Sequence, residues 1–367
     1  MERANMNKNR INALVTEMRK VDLDAMLISP SQEMLFLTGF TPMMCERFQA
    51  LFITAKAELF YVCNRLYYDE LKQAYHEELP IYFWTDGEDM AETVCQSLKD
   101  HNLLEKNIGV NSTAQAFNLV DIATACQVIF TNGLAVLEEA RIIKTEQEIV
   151  ALKQAALITD KAFEQVLTYI KPPMKEEDVS AYLKSKMEEA GGSTPWALVA
   201  CGPNSSYPHY VGNQRVIAEQ DILIMDFGCS YQGLCSDMTR TVFVGGITDR
   251  QKEIYDIVAK ANEAGERQAL DGAYIPDVDK AARNIIEEAG YGEYFFTRLG
   301  HGIGYMIHEA PDIKKNNRRH LQPGMAFSVE PGIYLADEFG IRIEDIVLVT
   351  KQGNEVLNKA SKEIIIL

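Results

Sequence analysis

The stretch Ile222-Leu-Ile-Met-Asp-Phe-Gly-Cys-Ser-Tyr-Gln-Gly-Leu-Cys-Ser-Asp-Met-Thr-Arg-Thr-Val-Phe-Val244 reads as two apolar strands joined by a turn at Gln232-Gly233. Glycine there supplies the positive φ that a tight hairpin turn requires. Each strand carries one carboxylate, Asp226 and Asp237. Closing the hairpin about Gln232-Gly233 sets Asp237 opposite Gly228, a diagonal neighbour of Asp226 on the same face. One such Asp would read as a polar strand edge or a turn residue. Two of them, inside runs of Ile, Leu, Met, Phe and Val, repel each other and lose their hydration. Such a pair either shares a proton or gathers a cation, and the metal site is the reading adopted for it.

The sequence on either side of this hairpin follows one plan twice. Upstream, Thr145-Glu-Gln-Glu148 is a capping box. It opens an apolar-periodic helix through Ile149, Leu152, Ala156, Ile158 and Ala162 to Ile170, which Lys171-Pro172-Pro173 stops. A second helix spans Glu176 to Ala190 and ends at Gly191-Gly192, before the strand Trp196-Ala-Leu-Val-Ala200 and a Gly/Asn/Ser loop. Downstream, Thr248-Asp-Arg-Gln251 caps a helix to Leu270, and Pro276 sits in the first turn of another that ends at Ala289-Gly290. Glu188-Glu-Ala-Gly191 recurs as Glu287-Glu-Ala-Gly290, and a second hairpin follows, Met325–Tyr334 with Gly340–Thr350. The duplication predicts two halves related by a pseudo-two-fold, with a site where the hairpins face each other.

Residues 1–140 read as a separate α/β domain and 141–367 as the domain that carries the site. In the first, a helix around Ile11, Leu14 and Met18 precedes strands at Ala25–Ser29, Leu51–Thr54, Leu59–Val62, Ile81–Trp84 and Ile108–Val110. His76 and His101 stand singly among Glu, Lys and Asp and read as solvated side chains rather than ligands.

The chain has 367 residues, room for about two domains with substantial cores. Its formal charge of −17 argues against nucleic acid or an anionic membrane surface as partner. No apolar run approaches the roughly 20 residues of a membrane span, and the first residues lack the hydrophobic core of a secretory signal, so a cytoplasmic protein is expected. Seven scattered cysteines without a Cys-x-x-Cys spacing argue against a disulfide framework or a thiolate zinc site. Cys229 and Cys235, on opposite faces of the hairpin, are expected as free thiols.

The second half supplies Glu330 and Glu344, each within an apolar strand. Gly300-His-Gly-Ile-Gly-Tyr-Met-Ile-His-Glu309 places His301 and His308 beside glycines that would let backbone approach a ligand. Asp226, Asp237, His301, Glu330 and Glu344 form an oxygen-rich set suited to Mn²⁺, Mg²⁺ or Co²⁺ more than to a structural zinc. Four converging carboxylates are balanced by two divalent ions rather than one, which predicts a two-metal hydrolytic centre. His209, in Tyr207-Pro-His-Tyr210, reads equally well as a loop histidine capping a turn, and His320 as a surface residue.

Asp-Phe-Gly…Ser-Asp-Met-Thr-Arg-Thr, Gly-His-Gly-Ile-Gly, Val-Glu-Pro-Gly-Ile-Tyr and Arg-Ile-Glu-Asp together resemble, in order and spacing, the pita-bread metallopeptidases, and among them prolidase and aminopeptidase P. The likeness covers about residues 140–365 strongly, while the first domain matches only in size and α/β character. It implies an α/β (α+β) fold: an N-terminal creatinase-type domain followed by a pseudo-two-fold pita-bread domain. It further implies two divalent ions, Mn²⁺ foremost with Co²⁺ or Zn²⁺ as alternatives. Asp226 would chelate one ion, Asp237 and Glu344 would bridge both, and His301 and Glu330 would complete the second. Glu330 would also relay a proton. His209 and His308 match substrate-side histidines. Arg342 and Tyr334 are candidate substrate contacts, Arg342 alternatively a salt-bridge partner that orients Glu344.

The implied activity is hydrolysis of the Xaa-Pro bond in dipeptides or at peptide N-termini, by a homodimer with small peptides as substrates. Its rivals are a broader or methionine-type aminopeptidase, which usually lacks so large an N-terminal domain, and a creatinase-like amidinohydrolase, which works without this metal set. A non-catalytic pita-bread scaffold would typically have lost ligands. All five ligand positions are filled here.

Overall fold

The computed structural model describes residues 6–75 and 79–367, in two compact units, Met1–Arg141 and Ile142–Leu367. His76 lies outside the described residues. The first unit is built on a six-stranded sheet of order β4-β3-β2-β1-β5-β6. Its strands are β1 (Ala25–Ile28), β2 (Ala50–Thr54), β3 (Leu59–Asn64), β4 (Ile81–Trp84), β5 (Asn107–Val110) and β6 (Ile129–Asn132). Every residue of β1 and β2 is buried, as central strands covered on both faces must be. Helices α1 (Lys8–Lys20), α2 (Gln32–Thr38), α3 (Arg65–Tyr75), α4 (Met90–Asp100), α5 (Ala116–Cys126) and α6 (Leu134–Arg141) accompany them. The α1 stripe Ile11, Leu14, Val15 and Met18 is buried.

Three features of this unit differ from the sequence reading. Strand β6 was not expected, because an edge strand with Ile129 62% exposed carries no clear burial alternation. His101 is not a solvated side chain: it follows α4, and its ring stacks on Phe60 with centroids 4.0 Å apart and planes at 8°. Cys95 on α4 and Cys126 at the end of α5 form a disulfide, their Cα atoms 5.1 Å apart. Packing of the two helices brings together thiols 31 residues apart, which spacing alone could not pair. Cys229 and Cys235 are free and buried.

The second unit repeats helix–helix–hairpin. Helices α7 (Glu146–Tyr169) and α8 (Glu176–Glu189) precede β7 (Ser193–Cys201), β8 (Ile222–Tyr231), β9 (Leu234–Cys235) and β10 (Met238–Phe243). Helices α9 (Asp249–Gln268) and α10 (Ile275–Glu288) precede β11 (Gly300–Gly302), β12 (Glu309–Ile313), β13 (Ala326–Val329), β14 (Gly332–Leu335), β15 (Phe339–Arg342), β16 (Asp345–Thr350) and β17 (Gly353–Val356). Both capping boxes form. Thr145 N donates to Glu148 Oε2 at 2.8 Å while Thr145 Oγ1 accepts from Glu148 N at 3.3 Å; Thr248 and Gln251 do the same at 2.8 and 3.2 Å. Each half buries its own core, Val166, Leu183, Met187 and Met225 in the first and Ile254, Val258, Ile286 and Val347 in the second. A fully buried side chain of this size contributes about 1.5–3 kcal/mol.

The hairpin turn has φ of 49° at Gln232 and 82° at Gly233, the two positive values of a type I′ turn. Thr239 pairs with Asp226 and Met238 with Phe227, a register that sets Asp237 opposite Gly228. In the second half Val329 pairs with Asp345 and Gly332 with Arg342, so Glu330 and Glu344 lie directly opposite each other. Glu344 N donates to Thr239 O at 3.1 Å, which joins the two hairpins at the centre of the unit. No helix among the described residues is long and apolar enough to cross a membrane.

Candidate metal centre

Asp226 projects from the middle of β8, and Asp237 from the link between β9 and β10, on the same face two residues apart in register. Glu330 sits between β13 and β14, and Glu344 between β15 and β16, at the break in one long hairpin. His301 is the middle residue of β11, between two glycines that make close approaches. A Cβ at Gly300 would fall 1.8 Å from Ser328 O, and one at Gly302 would fall 2.2 Å from Ala310 O. These glycines let β11 fit between its neighbouring strands; they do not open backbone to a ligand, as the sequence reading had it.

His301 Nδ1 lies 3.2 Å from Gly302 O. Its Nε2 faces the carboxylates, 3.2 Å from Glu330 Oε1 and 3.7 Å from Asp237 Oδ2. Asp237, His301 and Glu344 offer ligand atoms within 4.8 Å of one another, all three residues buried. One oxygen each of Asp226, Glu344 and Glu330 is held by protein. Arg342 Nη2 donates to Asp226 Oδ2 at 2.8 Å, Thr239 Oγ1 to Glu344 Oε2 at 2.7 Å, and Ser328 Oγ to Glu330 Oε1 at 3.0 Å.

The other oxygens fit a cation. Asp226 Oδ1, Asp237 Oδ1 and Glu344 Oε1 are buried with no hydrogen-bond partner among the described residues. An unsatisfied buried acceptor costs about 1–3 kcal/mol, more if charged, so three in one place need a positive charge to balance them. Protonation shows the same strain. Burial, and then the neighbouring carboxylates, push Asp237 and Glu344 well above the usual carboxylate range. Burial raises Asp226 too, against the pull of Arg342. Glu330 goes the other way: burial opposes it, yet the hydrogen bond from His301 keeps it below the ordinary value.

The same side chains line a cavity of about 640 Å³, with His209, His308, Tyr334 and Arg342 on its wall. The His308 ring meets His301 edge-on, centroids 4.2 Å apart, and partial burial, with His301 alongside, pushes its pKa down to about 4. It is therefore a neutral hydrogen-bond donor at neutral pH. His209 is exposed on the loop after the turn at Gly202–Ser206. Arg342 is 3% exposed, and its ion pair is with Asp226 rather than Glu344. It also donates to Tyr334 Oη at 2.8 Å, to Pro208 O at 3.1 Å and to Thr239 Oγ1 at 3.0 Å, so it ties the first hairpin to the second. His320 is exposed.

Sequence reasoning passed over Thr239, Ser328, Trp196 and Arg298. The two hydroxyls steady glutamate oxygens, and nothing in their local sequence marks that. Trp196 pairs with Gly228 and lines the cavity, its indole N–H buried with no hydrogen-bond partner among the described residues. Arg298 lines the cavity with Nη1 donating to Asp312 at 2.6 Å.

The model of metallopeptidase family M24 matches residues 150–351, and that of the creatinase/prolidase N-terminal domain matches residues 10–143. A Xaa-Pro dipeptidase of Pyrococcus horikoshii is 32% identical over 361 residues, 97% of this chain and 98% of the relative. Among solved structures, a dipeptidase of Pyrococcus horikoshii has a TM-score of 0.91 at 33% identity, covering 98% of this chain and all of that one. An X-Pro aminopeptidase of Thermotoga maritima has a TM-score of 0.84 at 29% identity, covering 97% and 99%. An N-terminal creatinase-type domain, a duplicated second unit and a buried acidic cluster thus occur together in a chain that both family models match along nearly its whole length: it belongs to metallopeptidase family M24 and is a metallopeptidase acting on peptides.

Proposed function

We propose that the protein is a two-metal exopeptidase that cleaves the bond between an N-terminal residue and a following proline, with dipeptides as its first substrates. The observation that carries this reading is the convergence of Asp226, Asp237, His301, Glu330 and Glu344, three orphaned oxygens among them, on a cavity that also presents His209 and His308. A volume of about 640 Å³ suits a small peptide. Support for proline comes from the relatives named Xaa-Pro dipeptidase and X-Pro aminopeptidase.

The five side chains would hold the ions, and the oxygen-rich donor set favours Mn²⁺, with Co²⁺ or Zn²⁺ as alternatives. When bound, such ions supply Lewis acidity and a nucleophile at neutral pH. The chain's own residues do the rest. Glu330, whose Oε1 accepts from Ser328 Oγ, can accept a proton from the attacking water and return it to the leaving nitrogen. Neutral His308 donates a hydrogen bond to the carbonyl oxygen as negative charge develops there. His209 orients the tertiary amide, which has no N–H of its own to be held by. The acidic cluster draws the free α-amine to one end, and Arg342 keeps Asp226 in place for it.

Ala-Pro, Ala-Ala, acetyl-Ala-Pro and Ala-Pro-Ala, assayed with Mn²⁺-reconstituted enzyme, test the proposal. Ala-Pro should be cleaved best and acetyl-Ala-Pro not at all, since acetylation removes the anchoring amine. Equal efficiency on Ala-Ala defeats the proline assignment, and preference for Ala-Pro-Ala makes the enzyme an aminopeptidase.

A further inference from the structure

Behind the two second-half glutamates lies a buried polar network that touches neither substrate nor metal ligand side chains. Arg240, on β10, is 1% exposed and heads the fully buried side chains by volume. Its five N–H donors are all engaged. Nη1 donates to Thr239 O at 3.0 Å and to Glu344 O at 2.7 Å. Nη2 donates to Asp345 Oδ1 at 2.6 Å and to Ala360 O at 2.9 Å, and Nε donates to Ser361 O at 3.1 Å.

The network continues through Lys362. Its ammonium lies 3.0 Å from Asp345 Oδ2 and donates to Asn262 Oδ1 at 2.9 Å and to both Glu266 oxygens at 2.8 Å. Asn262 then returns to the site: Nδ2 donates to Val329 O at 2.8 Å and to Ile343 O at 3.4 Å. Those carbonyls belong to the residues immediately before Glu330 and Glu344. Asp160, on α7, accepts from the amides of Lys359 and Ala360 at 2.7 and 3.2 Å and so fixes the segment that carries Lys362.

Glu330 and Glu344 sit at the break between β13 and β14 and between β15 and β16, where the ladder of their own hairpin does not hold them. Their amides donate to Leu299 O and Thr239 O, and the network engages the carbonyls on either side, those of Val329, Ile343 and Glu344. We infer that residues 359–362, acting through Arg240, Lys362 and Asn262, position Glu330 and Glu344 as ligands and thereby set how tightly metal is retained. Neither Arg240 nor Lys362 lines the cavity, so both are positioning residues. The inference rests on the reading that the two glutamates hold metal.

Lys362→Met is the direct test, because it keeps the length of the side chain while Arg240 still holds Asp345 and the fold. Metal-free variant and wild type are titrated with Mn²⁺ by calorimetry, apart from any assay of activity. Loss of a group that orients a metal ligand typically weakens metal affinity about 10–100-fold, and that is the shift expected here, with kcat recovering at saturating Mn²⁺. Asn262→Ala should shift the titration in the same direction, and Lys362→Arg should restore most of it. Ile286→Ala, a core truncation on α10, is the control for simple destabilisation: it should lower Tm without moving the Mn²⁺ titration. If Lys362→Met and Asn262→Ala behave like Ile286→Ala, the network is structural only and the inference falls. Glu344→Ala separates the two readings. Undiminished Mn²⁺ binding in that variant would remove the metal assignment itself, whereas weakened binding there beside wild-type binding in Lys362→Met overturns the positioning role alone.

Discussion

Asp237 and Glu344 are buried carboxylates, each with one oxygen that has no hydrogen-bond partner among the described residues, and they are where single substitutions should speak most clearly. Asp237→Ala and Glu344→Ala are each expected to lower bound metal and rate together, read by elemental analysis beside peptide hydrolysis. His308→Ala should behave differently. Its ring faces His301 from the cavity side, so the variant should keep its metal and lose about 10²–10³ in kcat, the usual effect of removing one donor to a developing oxyanion. Loss of metal in that variant would make His308 a ligand. At this scale the acidic residues were readable from sequence, because a carboxylate inside an apolar run has few bland explanations. The partner of Arg342 was not. An Arg two residues before Glu344 on one strand looks destined for that glutamate, and only the fold shows Asp226, 116 residues away, as the group it pairs with.

The elements are fitted to the site by glycines at points of close approach. At Gly300 a methyl group would meet the backbone oxygen of Ser328 at 1.8 Å, and backbone cannot turn aside as a side-chain tip can. Gly300→Ala should therefore push β11 from β13, displace His301, and cost on the order of 1–3 kcal/mol, the usual range for overpacking. Thermal melts and Mn²⁺ titration should move together. Gly246→Ala is the matching control, since nothing lies within 4 Å of its would-be Cβ and the change should leave both nearly untouched. A Gly300→Ala protein with the melting and metal binding of Gly246→Ala would show that β11 has slack which the geometry does not reveal. The hairpin register and the capped helices were legible at this scale, while the tight seating of β11 between two strands was not, because a Gly-x-Gly pattern does not say what comes near it.

Across the molecule the acidic centre links metal, protons and stability. Without metal, Asp226, Asp237 and Glu344 hold protons above the usual carboxylate range, and unfolding returns them to about 4. Between those values the folded state carries more protons than the unfolded one, so stability falls as pH rises. Melts of chelated protein should show Tm declining as pH rises above the ordinary carboxylate range, with the gap to Mn²⁺-loaded protein widening as it does. A gap that stays constant with pH would mean that these carboxylates are not what the cation relieves. The sequence by itself determined what depends on neighbours a few residues apart. Hydrophobic period, two capping boxes, a type I′ turn and the spacing of Asp226 from Asp237 are all local, and each is fixed by backbone sterics or by one turn of hydrogen bonds. Tertiary structure alone decided the pairings across long separations: Cys95 with Cys126, His101 on Phe60, Arg342 with Asp226, and Arg240 and Lys362 behind Glu344. A thiol, an imidazole or a guanidinium is chemically indifferent among many partners, and which one it meets is set by how the helices and sheets pack.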